Sequence, residues 1–198
     1  MKFYNKLKWT LGILMVFVLI IATNLIDRNN FVRVKDSVVS IYEDRIIAND
    51  LIFEMSELMH EKEIALVASD TAFFKQRNTQ LNERIDANIS RFETTKLTAE
   101  EKTVFTNFKQ NFEALKESET VFLASAYQKQ EPLRKDIGSL KENLHNLSKI
   151  QLSEGGRQMS ISQKALDVVE LFTRIEIFTL LLLAVVIQII VMYKPKEK

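Results

Sequence analysis

The 198-residue chain sets 27 Lys and Arg against 26 Asp and Glu, a formal charge of +1, so no global field directs it toward nucleic acid. It has no cysteine, which removes disulfides, thiolate nucleophiles and Cys-based metal sites, and is compatible with an oxidising compartment. Four Gly and two Pro argue for long helices with few turns, and 46% hydrophobic against 27% charged residues argues for polar helices flanked by concentrated apolar segments.

The chain opens with a short basic segment, residues 1–8, carrying Lys2, Lys6 and Lys8. WTLGILMVFVLIIATNLI follows at 9–26 without a charge. At helical rise it covers about 27 Å, against roughly 30 Å of bilayer hydrocarbon, which predicts a transmembrane helix. No small-x-small site follows it, so it reads as an uncleaved signal anchor.

Residues 27–174 have helical, not strand-like, periodicity. The first helix continues from the apolar run through Val34, Val38, Ile41, Ala48, Ile52, Met55, Met59 and Leu66. Ser69 to Thr71 is an N-cap signal for a second helix carrying Phe74, Leu81, Ile85, Ile89 and Phe92. Thr98 and Glu101 stand in capping-box register before a third helix with Phe105, Phe108, Phe112, Leu115, Phe122 and Ala126. Pro132 opens a fourth, which carries Leu133, Ile137, Leu140, Leu144 and Leu147, and later Ile161, Ala165, Val168 and Phe172. A second apolar run at 175–193 predicts another transmembrane helix, with Gln188 inside it as a polar interhelical contact and Glu176 at its edge. Residues 194–198 close the chain with Lys194, Lys196 and Lys198. Lysines outside both runs place both termini in the cytoplasm and the main domain in the periplasm or outside, at a bacterial inner (cytoplasmic) membrane.

The pattern is therefore all-α: an antiparallel up-down-up-down four-helix bundle between two transmembrane helices. The first and fourth helices run about 42 residues beyond the membrane, roughly 63 Å, and the second only about 25. The second should stop near Tyr42 to Arg45, leaving a membrane-proximal two-helix stalk. Gly155 and Gly156 fall near that level. They read as a kink, as a site of close packing against the first helix, or as a hinge. Two helices cannot bury Phe31, Val34, Val38, Ile161, Val168 and Phe172, so the stalk predicts a homodimer or a subunit of a larger membrane complex.

No catalytic constellation, cofactor motif or metal-ligand spacing is present, and the chain is not expected to be an enzyme. His60 and His145 are the only histidines, and HEKE at 60–63 lacks the second histidine of a zinc-protease helix. Arg77, Arg84 and Arg91 repeat every seven residues, as a row that could hold an anion or lay its stems on the surface beside Glu and Asp. Arg45 and Lys62 fall on the apolar line of the first helix, suited to a buried pair or a dimer contact. Arg45, Lys62, Arg77 and Arg84 are the ligand-binding candidates.

SIYEDRIIANDLIFEMSELMHEKEIALV, residues 40–67, resembles the first helix of the four-helix-bundle sensory domain of methyl-accepting chemotaxis receptors, chiefly through Tyr42, Glu43, Asp44 and Arg45. That resemblance implies a periplasmic bundle that takes small ligands and passes small helix displacements through the membrane. It also implies that the cytoplasmic output region is lacking. The expected function is a membrane-anchored sensory or regulatory module acting through partner proteins. The alternative is a constitutive structural or accessory subunit of an inner-membrane complex.

Overall fold

A computed structural model describes residues 2–192, with the side chains of 1–11, 19, 187 and 189–192 outside that description. The expectations placed on the tail 194–198, on Lys2, Lys6 and Lys8 and on much of the far end of the second apolar run therefore lie outside the described residues. The described chain is helical between its turns: α1 (Lys2–Ser40), a π-helical turn (Ile41–Ile46), α2 (Ile47–Val67), α3 (Thr71–Gln76), α4 (Asn78–Glu93), α5 (Ala99–Ala124) and α6 (Gln130–Met192). It forms two compact units. One is the bundle, Val39–Gln158; the other is a helix pair, Met1–Val38 with Met159–Lys198.

In the bundle, polar pairs at the helix borders fix the topology. Asn88 donates to Glu54 and Arg77 pairs with Glu61, so α2 and α4 run antiparallel. Lys109 with Glu93 and Lys116 with Asp86 join α4 to α5, Ser118 with Asp136 and Asn111 with Asn143 join α5 to α6, and Lys141 with Glu63 closes the ring to α2. The interior is an apolar column. Leu51, Met55 and Met59 of α2 meet Phe92 of α4, Phe108 and Phe112 of α5 and Leu140 of α6, all fully buried. Phe108 and Phe112 stack with ring centroids 6.4 Å apart, and Phe74 meets Phe122 edge-on at 5.0 Å.

The turns follow their local chemistry. Asp70 caps α3 by accepting from Phe73 N at 3.0 Å, while Ser69 before it takes φ 53°. Thr98 and Glu101 form the reciprocal capping box of α5. Pro132 sits in the first turn of α6.

Four expectations are corrected. The first helix is not α-helical throughout, because a π-turn interrupts it at Ile41–Ile46. The second helix is broken at Arg77, so Arg77 stands at a joint between α3 and α4 and not in one unbroken row with Arg84 and Arg91. α5 ends at Ala124, and Ala126 is exposed with φ 51°, because the chain turns back to set the Tyr127 ring 5.3 Å from Phe122. Close packing does not explain Gly155 and Gly156: a Cβ at either would meet nothing within 4 Å, and α6 runs unbroken through both.

The helix pair is built differently. Its buried residues are Thr23, Asn30 and Ser37 on α1 with Ser162 and Ala165 on α6. The large apolar side chains point away. Phe31 is 71% exposed, Val38 56% and Leu171 56%, and Ile161 and Val168 are each 37% exposed. Val34 and Phe172 are half-buried. Among the described residues one helical stretch, Gly12–Val67, is long and apolar enough to cross a membrane.

Candidate functional site

The chemistry of the bundle concentrates in two buried cations, one toward each end of the apolar column. Both come from the first helix and both reach across the bundle to α5.

Arg45 lies in the π-turn and is 7% exposed. Buried and half-buried positions continue on both sides of the turn. Buried or half-buried positions run Asp27, Asn30, Val34, Ser37, Ile41 before it and Arg45, Ala48, Ile52, Met55, Met59, Lys62, Leu66 after it. The steps alternate three and four except at Ser37, Ile41 and Arg45, where two fours follow each other. Asp27, Val34, Ile41, Ala48, Met55 and Lys62 keep an unbroken seven-residue spacing through the turn. Arg45 Nη1 then pairs with Glu101 and donates to Gln151 Oε1 at 3.0 Å, while Nη2 donates to the carbonyl of Lys96 at 2.8 Å. Asp44, one residue earlier, accepts from Lys96 N at 3.2 Å and from the Ser40 hydroxyl at 2.8 Å. The Asp-Arg pair thus grips both backbone groups of Lys96 in the α4–α5 turn. Glu101 does double duty, since its other oxygen accepts from Thr98 N at 2.6 Å. Gln151 lies one turn ahead of Gly155 on α6.

Lys62 is fully buried. Its ammonium donates to Asn78 Oδ1 and to Glu119 Oε1, the latter at 2.5 Å. Glu119 Oε2 accepts from Asn78 Nδ2 at 2.7 Å and Asn82 Nδ2 at 2.8 Å. The break at Arg77 starts α4 at Asn78, whose side chain is buried against this pair. Burial pushes the Lys62 ammonium below its ordinary 10.5, against the attraction of Glu119. A lysine in such a place is retained only with its partner, because an unpaired buried charge is far more costly than a paired one.

The remaining candidates are on the surface. Arg77 is exposed and its Nε pairs with Glu61 at 2.5 Å. Arg84 lines an open groove of about 390 Å³ between α2 and α4 with Phe53, Glu54, Glu57 and His60. A second groove of about 260 Å³ between α2 and α6 is lined by Asn49, Phe53, Ser56, Lys141, His145 and Ser148. The structure brings Arg45 and Lys62 into the core and leaves Arg77 and Arg84 outside it, so the four do not converge.

Sequence reasoning placed Glu101 only in the capping box and missed both acids as core residues. Glu101 and Glu119 had the necessary signal: 101, 105, 108, 112, 115, 119 and 122 alternate four and three along the buried face of α5. An acidic residue on an apolar line that faces a basic residue on another apolar line is the pattern to look for.

The bundle is thus an antiparallel four-helix bundle with paired charges in its core. The chain belongs to the family described as the four helix bundle sensory module for signal transduction, whose model matches residues 1–165. No curated protein and no solved structure matches it significantly.

Proposed function

We propose that this protein is a membrane-anchored sensory module whose bundle recognises a small molecule outside the cytoplasm and acts through partner proteins. The observation that carries this reading is the presence in one chain of a sealed bundle and a helix pair that turns its large apolar side chains outward. The bundle pairs its buried cations internally, Arg45 with Glu101 and Lys62 with Glu119, and offers ligand-sized grooves at its surface, around Phe53. The exposed Phe31, Leu166 and Leu171 need lipid or another chain to cover them. The apolar stretch of α1 supports anchoring by composition and length. Both termini then lie in the cytoplasm by the positive-inside rule, with the bundle in the periplasm of an inner membrane.

Purification from native membranes in mild detergent tests this. A homodimer whose melting temperature rises with a small molecule supports the sensor. A stoichiometric transporter or motor complex with no ligand response would replace it with the accessory-subunit reading.

A further inference from the structure

The outward face of α2 differs from those of the other bundle helices. Phe53 is 61% exposed, Ile64 55% and Val67 69%, whereas α4 exposes no large apolar side chain and α5 exposes only Val121 and Leu123. These side chains of α2 fall into register. Phe53, exposed His60 and Val67 repeat every seven residues, and Ile46 at the end of the π-turn continues the row. Seven residues are nearly two helical turns, so such a row runs straight along one face. Asp50, Glu57 and Ile64 form a second exposed row with the same spacing, about 40° around the helix axis from the first. An apolar row thus lies beside an acidic one, along the groove that Phe53, Glu57 and Ile64 share with Arg84 of α4.

The bundle does not answer these acids. Glu61 holds Arg77 and Glu63 holds Lys141, but among the described residues neither Asp50 nor Glu57 has a cation within ion-pair distance. Arg45 and Lys62, the two basic side chains among the lysines and arginines of residues 40–67, are both buried in the core. A second copy of the chain does not answer them either. Two chains rising from one membrane run parallel, and across a two-fold axis each row of a helical seam meets itself. Asp50 would then face Asp50 and Glu57 would face Glu57, and opposed like charges disfavour the pairing.

We propose that this flank of α2 docks an amphipathic helix of a different protein, one that carries an apolar row beside a row of lysine or arginine. The apolar row covers Phe53 and Val67 and sends side chains into the groove of about 390 Å³ beside Ile64. The basic row pairs with Asp50 and Glu57 and fixes the register. The inference names the kind of partner through which the sensory module acts and rests on that reading for its purpose alone. A ligand response is measured separately, by melting temperature, so the two fail independently.

The test uses the full-length chain in nanodiscs of zwitterionic lipid and two labelled helical peptides. Both carry a leucine row repeating every seven residues; the adjoining row is lysine in one and glutamate in the other. Fluorescence anisotropy should show the lysine peptide binding about tenfold more tightly. Phe53→Ser with Ile64→Ser keeps every charge and should abolish binding of the lysine peptide. Asp50→Lys with Glu57→Lys should reverse the preference, a gain that a misfolded variant cannot produce. The proposal falls if the two peptides bind alike, or if the lysine peptide binds the serine variant unchanged, which is charge attraction alone. It falls equally if His60→Cys, in a chain with no other cysteine, oxidises to dimers in high yield, because a second copy then occupies the flank.

Discussion

The bundle and the helix pair solve opposite problems with the same secondary structure. In the bundle every phenylalanine but Phe53 is inside, and the two cations that join them there each hold an acid from α5. In the helix pair small and polar residues are inside, and Phe31, Phe178, Leu166 and Leu171 are outside. Burial follows what surrounds a helix. Four helices in water can enclose a column of large apolar side chains. Two helices meet along a single narrow seam, and where lipid or another chain supplies the apolar surroundings, close approach of small residues is the better use of that seam. The bundle is built to be complete by itself and the helix pair is not.

A series of changes sharpens that contrast. The largest should come from the bundle core: Phe108→Ala is expected to cost about 3–5 kcal/mol, read as a fall in the chemical denaturation midpoint, because nothing can refill a fully buried ring site. Lys62→Met should cost a similar amount, about 3–5 kcal/mol, by leaving Glu119 buried without its cation. Adding Glu119→Gln to it should recover most of that loss. Recovery failure would mean that shape, not charge, decides the site.

The pH dependence comes next. Because the folded Lys62 titrates below 10.5, the unfolded chain binds more protons in the window between its folded value and 10.5. Wild type should therefore gain stability relative to Lys62→Met as pH rises through that window. Glu63 behaves with the opposite sign. The hydrogen bond from Lys141 holds its carboxyl below 4.5, so a small stabilisation present above 4.5 is lost as pH falls through the lowered value. The pair is well exposed, so the acid-side effect should be the slighter of the two.

Gly155→Ala and Gly156→Ala should each stabilise the fold by about 1 kcal/mol, since a Cβ meets nothing and helix propensity favours alanine. A functional loss in the stabilised protein would identify the pair as a hinge. The smallest effect on stability belongs to the helix pair: Phe31→Ser should leave unfolding of the isolated chain nearly unchanged and weaken its association instead, measurable by analytical ultracentrifugation in detergent.

Much of this was legible in the residues. Helical periodicity alone placed four helices and most of the buried apolar positions from Ile52 to Leu147, because a 3-4 alternation has few other readings, but it passed over Leu51, Leu58, Ala65 and Phe73. The capping box at Thr98 and Glu101 was equally plain, being a local reciprocal pattern. The buried acids were not, because a glutamate is ordinarily solvated and only its alignment with Arg45 or Lys62 on a different helix makes it a core residue. That is a tertiary fact. The burial of Ser37 was hidden differently: Val38 and Ser37 both extend the line from Ile41, and the more hydrophobic one was the natural choice. The break at Arg77 accompanies the burial of Asn78 against Lys62 and Glu119, a pairing between helices that no local propensity encodes.

The central claim is that the outward apolar face of the helix pair is completed by other chains. Mass photometry of the full-length protein in mild detergent tests it most directly. The account predicts a dimer or larger assembly that Phe31→Ser and Leu171→Ser shift toward single chains. A monodisperse single chain, unchanged by those substitutions, would contradict it.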